Sequence, residues 1–229
     1  LLRLAALALV ALSGCSEPQP RPTPKVVLIG DSITRGENSE PGGVSFASLL
    51  QASFGDAVEL VNRGCNGSSS LDWTTARGHF SCDEGDSLHV DLYADRARPA
   101  LPADLVVLML GTNDAFGGYE PVPLPPEVYR DAMKQLVARL LEDGAQQVLL
   151  VIPPPQYHDM PTQKRIFAYR AELEALCGAD GDAILCGPDA FLLLQPDDFA
   201  SGDPHPNGQG HRKLADALRP AIAAALAAR

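Results

Sequence analysis

The sequence is poor in positive charge: 18 Lys and Arg stand against 29 Asp and Glu over 229 residues, a formal net charge of -11. Those basic residues are scattered, so the chain lacks the clustered cations with which a nucleic-acid binder displaces counterions, and no nucleic-acid partner is expected. It has no CxxC and no Cys/His spacing of the zinc kind, so neither a metal nor another cofactor is expected. Beyond the first residues no apolar stretch reaches the ~18 residues that a membrane-spanning helix requires. It has no internal repeat. What is present is an ordinary apolar share, 45%, which excludes global disorder. The length suits one α/β domain with a full core and falls short of two.

The N-terminus reads separately from the rest. Arg3 precedes an apolar run from Leu4 to Leu12, the size of a signal-peptide core and too short to span a bilayer. It runs into Leu12-Ser13-Gly14-Cys15, which resembles the bacterial lipoprotein lipobox. That resemblance implies a signal peptide over residues 1–14, cleavage before Cys15 and lipidation of its thiol. Residues 15–24 then form a tether whose alternating prolines favour extended polyproline geometry. The domain proper is expected over residues 25–229, held to the membrane by lipid and otherwise monomeric, in the cell envelope.

Four cysteines follow Cys15: Cys65, Cys82, Cys177 and Cys186. An even number in an exported protein points to disulfides. Of the three possible pairings, Cys65–Cys82 with Cys177–Cys186 closes the shortest loops and is the expected one.

Hydrophobic periodicity alternates between strand and helix. Continuous apolar runs at 25–29, 57–61, 104–110 and 147–152, with a short one at 183–185, read as buried strands of a parallel sheet. Helical spacing is found at 45–54, 126–143, 162–177 and 209–228. In the second of these Val128, Met133, Leu136, Val137, Leu140 and Leu141 are expected to face the core. Alternation of this kind builds an open, mostly parallel sheet covered on both faces, with its ligand site beyond the carboxyl ends of the strands. The polar motifs fall at those ends: Gly30-Asp31-Ser32 after the first strand, Asn62 to Gly67 after the second, and Gly111 to Asp114 after the third.

Taken alone, Ser32 could be a helix cap and His205 a solvated loop residue. In order, however, Gly30-Asp31-Ser32-Ile33, Gly67, Gly111-Thr112-Asn113-Asp114 and His205-Pro206-Asn207 resemble the motifs of the SGNH, or GDSL-type, hydrolase superfamily, over about residues 25 to 225. The resemblance implies a three-layer αβα flavodoxin-like fold with a mostly parallel five-stranded sheet, and hydrolysis of esters or thioesters, including O-acetyl groups on sugars. It implies that Ser32 is the nucleophile and His205 the base. It also implies that Ser32, Gly67 and Asn113 form the oxyanion hole, with Gly64 the weaker alternative to Gly67.

The residue types suit those roles. A serine hydroxyl needs an imidazole within hydrogen-bond reach to take its proton. Glycine lets a backbone N–H approach closely, and an asparagine amide donates without bringing charge. One departure stands out. The family usually places an Asp three residues before the His, and here that position is Gly202. Asp203, two before, is the expected third member; otherwise the site is a Ser-His dyad. Asp198 lies seven before. His211 is expected to pack or to lie on the helix surface, and Asp31 and Asp114 to hold loops by backbone hydrogen bonds. Trp73 is either packing or a pocket wall, Tyr157 and His158 are possible borders of the pocket, and residues 74–103 are expected to form a disulfide-pinned excursion at its rim. Carbohydrate O-deacetylation is the leading substrate reading. Lysophospholipase or short-chain thioesterase activity, and a catalytically dead binding protein on the same fold, are the alternatives.

Overall fold

The computed structural model describes residues 22–38, 40, 42–78, 80, 82, 88–117, 123–178 and 181–228. The expected signal segment and Cys15 lie outside these residues, as does most of the tether.

Five strands form one sheet: β1 Lys25–Gly30, β2 Glu59–Asn62, β3 Leu105–Met109, β4 Val148–Ile152 and β5 Ile184–Asp189. Their order is β2-β1-β3-β4-β5. Every neighbouring pair is parallel, so the expected mostly parallel sheet is wholly so among the described residues. The helices are α1 Ser32–Arg35, α2 Phe46–Phe54, α3 Thr112–Phe116, α4 Pro126–Glu142, α5 Met160–Leu176, α6 Ala190–Leu193 and α7 Gly208–Ala227.

Period-two alternation along the buried strands sorts their side chains into two cores. Val27, Ile29, Val106, Leu108, Val148 and Leu150 pack with Met133, Leu136, Leu140, Ile166 and Leu173 of α4 and α5. Val26, Leu28, Leu105, Val107, Leu149 and Val151 pack with Phe46 and Leu50 of α2 and Leu214, Leu218 and Ile222 of α7. The result is three layers, with α4 and α5 on one face and α2 and α7 on the other. Both faces being covered, each central strand is apolar throughout, which is why these strands read as unbroken runs in the sequence.

Two expectations about the core need correcting. Val128 is exposed while its neighbour Tyr129 in the first turn of α4 is buried; the turn presents the next position to the core, a choice that periodicity alone does not make. Cys65 and Cys82 are bonded, but Cys177 and Cys186 are free thiols. Cys177 caps α5 and Cys186 lies in β5, so the helix end and the strand fix their backbone positions. Closeness along the chain brings the sulfurs together, with burial and then the Cys186 sulfur pushing the Cys177 thiol up to about 12. A disulfide needs a specific Cβ–S–S–Cβ arrangement that sequence spacing does not supply.

The segment between β2 and β3 carries no α-helix of a full turn or more among the described residues. It is tied down by the Cys65–Cys82 bond, by a bridge between Phe80 and His89, and by the buried Tyr93 hydroxyl, which donates to Arg139 O at 2.7 Å. No helix of the described residues is long and apolar enough to cross a membrane.

Candidate active site

In the order β2-β1-β3-β4-β5 the connections leave β1 and β3 toward opposite sides, and a crevice opens beyond their carboxyl ends. Gly30 ends β1 so close to its surroundings that a Cβ there would lie 2.5 Å from Met109 O and 2.1 Å from Thr34 Oγ1. The chain turns at once into α1. Asp31 caps it by accepting from Ile33 N at 3.0 Å, which places Ser32 at the first helical position on the crevice floor. Gly36 ends α1 after one turn, at φ 118°. So short a helix has little dipole and adds little field near Ser32.

The loop ahead of α7 brings the imidazole. His205 Nε2 lies 3.0 Å from Ser32 Oγ, and its Nδ1 lies 2.8 Å from Asp203 Oδ1. The same carboxylate oxygen accepts from the backbone N–H of His205 at 2.8 Å. Asp203 thus closes an Asx-type turn on the residue two positions on, and the turn aims its carboxylate at the ring of that residue. This is how an Asp two before the His, with Pro204 between, reaches Nδ1. Gln156 Nε2 holds the loop by donating to Pro204 O at 3.1 Å, and Asn207 caps α7 by accepting from the N–H groups of Gln209 and Gly210. Asp198 is turned away and pairs with Lys213 Nζ at 2.7 Å.

On the opposite side α3 carries Asn113. Its Nδ2 donates to Ser68 O at 3.0 Å, which orients the amide and leaves its second hydrogen for a ligand. Gly67 precedes Ser68 at φ 72°, a left-handed conformation that favours glycine. Among the described residues the N–H groups of Ser32 and Gly67 have no acceptor within the protein. Gly64 faces elsewhere: a Cβ on it would meet the Arg35 backbone at 2.3 Å.

A run of buried serines that the sequence reading passed over fixes this wall. Ser68 Oγ donates to Cys65 O at 2.9 Å and accepts from Trp73 Nε1 at 3.0 Å. Ser69 donates to Asp72 through N–H and hydroxyl. Ser70 donates to Asp114 through both as well. Trp73 is therefore a fully buried packing residue. The signal was legible: Ser-Ser-Ser-Leu-Asp-Trp after a glycine turn is a string of side chains apt to bond local backbone.

Three further expectations can be placed. His211 is buried, donates from Nε2 to Glu37 O at 2.9 Å and accepts from Phe46 N–H at 3.3 Å. Burial holds its pKa down, and it is a packing residue. His158 lines the cavity, whereas Tyr157 spends its hydroxyl on Leu194 O. Asp31 and Asp114 hold loops, as expected.

Both of these carboxyls are buried. Burial pushes Asp31 up to about 6, against the Ile33 N–H bond and the field of His205. Burial pushes Asp114 up to about 7, against its bonds from Ser70 and with some help from Asp31. In the unfolded chain both titrate near 3.8. Between about pH 4 and pH 7 the folded chain therefore holds more protons, and this part of its stability declines as pH rises through that window. Asp114→Asn, which stays neutral and can still accept from Ser70, should raise the melting temperature at pH 8 by several degrees. The gain should shrink toward pH 4. Melting curves at the two pH values test this, and an effect independent of pH would contradict it.

The cavity above Ser32 has a volume of about 520 Å³, and its lining includes Glu37, Asn66, Gly67, Asn113, Phe116 and His158. Hydroxyl, imidazole, carboxylate and amide thus meet at the mouth of one crevice, an arrangement able to deprotonate a hydroxyl beside a set of free N–H donors.

No curated protein matches the chain. Among solved structures it is similar to the aryl esterase of M. smegmatis, with 20% identity over 88% of this chain and 99% of that one and a TM-score of 0.63. It is similar to an acetyl xylan esterase from Geobacillus stearothermophilus, with 22% identity, 87% and 94% coverage and a TM-score of 0.61. A carbohydrate acetylesterase family member from Sinorhizobium meliloti aligns with 20% identity, 89% and 99% coverage and a TM-score of 0.58. At these identities the likeness speaks for the fold. The family is decided by sequence: residues 28–213 match the GDSL-like Lipase/Acylhydrolase family. The chain belongs to that family and is an ester hydrolase of the SGNH type.

Proposed function

We propose that the chain is a serine esterase working through an acyl-enzyme, with O-acetylated carbohydrate as its substrate. The observation that carries the mechanism is the imidazole of His205 bridging Ser32 Oγ at 3.0 Å and Asp203 Oδ1 at 2.8 Å. With Nδ1–H donated to Asp203, the lone pair of Nε2 faces the serine hydroxyl and takes its proton as Oγ attacks the ester carbonyl. The oxyanion that forms accepts from the N–H of Ser32, the N–H of Gly67 and the free amide hydrogen of Asn113. Collapse expels the alcohol, which leaves with the proton from Nε2. Water then attacks the acyl-serine, gives its proton to Nε2, and the carboxylic acid departs as Ser32 recovers its hydrogen.

Asn113→Ala should lower kcat about 10²- to 10³-fold with little change in KM, because the amide is engaged mainly in the transition state. A change confined to KM would remove Asn113 from the oxyanion hole.

The O-acetyl reading draws on the acidic chain. The S. meliloti and G. stearothermophilus proteins of the same fold are described as carbohydrate acetylesterase and acetyl xylan esterase. Its test is release of acetate from acetylated glycan set against release of fatty acid from lysophospholipid. Fatty acid alone would exclude the carbohydrate reading. We place the enzyme in the cell envelope, lipidated at Cys15 after removal of residues 1–14 and carried as a monomer on the tether of residues 15–24. Radiolabelled palmitate incorporation that is lost in Cys15→Ser is the expected outcome.

A further inference from the structure

One charged side chain in the cavity has no part in the steps above. Glu37 follows Ser32 by five residues and is held by four bonds. Its N–H donates to Ser32 O at 2.9 Å, and its carbonyl accepts from His211 Nε2 at 2.9 Å. Its carboxylate takes Arg35 Nη1 at 2.7 Å and Asn66 Nδ2 at 2.9 Å, both on Oε1. The side chain remains 40% exposed. Arg35 is not a lining residue, and no Lys or Arg is among the described residues that line the cavity. The ion pair therefore presents its negative end to the substrate, whereas Arg165, which stands behind the lining residue Thr162, spends its guanidinium on Ala115 O and Thr162 Oγ1.

The geometry points to Glu37 as a specificity-determining carboxylate that makes the site discriminate against esters bearing a negative charge near the reacting carbonyl. Charge at such a site is screened less than on an open surface, because the cavity walls exclude part of the solvent. Two bonds on Oε1, with the backbone pinned at its N–H and carbonyl, keep the group from swinging away when an anion arrives. An uncharged polyol ester meets no such penalty, and its hydroxyls find an acceptor in Oε2. The inference rests on the esterase reading above and narrows it. It favours neutral acetylated sugars and disfavours lysophospholipids, whose phosphate sits a few atoms from the ester.

The test uses two acetate esters that differ in one phosphate, glycerol monoacetate and acetylglycerol 3-phosphate, with acetate release as the readout. The measured quantity is the ratio of kcat/KM for the neutral ester to that for the anionic one. Glu37→Gln, which keeps an oxygen for Asn66 and Arg35, should lower that ratio about five- to tenfold at low ionic strength, and salt should lower it in wild type but hardly in the variant. Arg35→Gln, which removes the countercharge, should shift it the other way. A ratio unchanged by both substitutions would overturn the assignment of Glu37 while leaving the esterase reading in place. Failure of wild type to release acetate from either ester would overturn that reading, and the assignment with it.

Discussion

Ser32→Ala should abolish ester hydrolysis, with a fall in kcat of about a millionfold, the size typical of removing the nucleophile from a cooperating set. The size follows from geometry. Ser32 Oγ is the hydroxyl that His205 Nε2 reaches, at 3.0 Å. A free imidazole left beside an alanine can at best activate water, without the acyl-enzyme that divides the reaction into two easier steps. The substitution should cost little stability, because it is the Asp31 side chain that caps α1 and this remains. A fluorophosphonate probe should label the wild type and not the variant. Equal labelling of both, or none of either, would make the chain a binding protein on a hydrolase fold.

Asp203→Ala should lower kcat about a thousandfold, less than loss of Ser32 because the partner of the imidazole orients it and steadies its charge without touching substrate. One oxygen of Asp203 serves both the backbone N–H and Nδ1 of His205. Removing it frees the turn as well as the ring. Asp203→Asn separates the two contributions: its carbonyl oxygen can accept both bonds, so the tautomer is preserved and only the charge is lost. The asparagine variant should therefore retain clearly more activity than the alanine variant. If the two are equally impaired, the charge matters and the geometry does not; if neither is impaired, the site works as a Ser-His dyad.

The layers were readable from residue order because the strands are buried on both faces, and burial leaves apolar runs that need no tertiary information to see. Strand ends were readable for the same reason: Gly30 and Gly111 stop those runs, and the polar motifs stand directly after them. The contact between Asp203 and the His205 ring was not readable from spacing. An Asp in the unusual position reaches Nδ1 only through the turn that its own carboxylate closes. Spacing also failed to separate the two cysteine pairs. Both close short loops, yet one is a disulfide and the other a pair of thiols. The outcome depends on how α5 and β5 seat on the sheet.

By itself the sequence determined which residues are apolar enough to be buried, where the first four strands stop to within a residue, and which side chains capable of acid-base and nucleophilic chemistry stand at those stops; the fifth strand, expected at 183–185, runs on to Asp189. Tertiary structure brings Ser32 of α1, Asn113 of α3 and His205 of the loop ahead of α7 to one crevice, a convergence that the family resemblance implied and that no local pattern contains. It also decides that Glu37 stands at that crevice while Asp198 and His211 turn away. The physical reason is that burial is a property of each residue's own chemistry and is written locally, whereas convergence depends on strand order and on loops held by long-range hydrogen bonds, which no stretch of sequence contains.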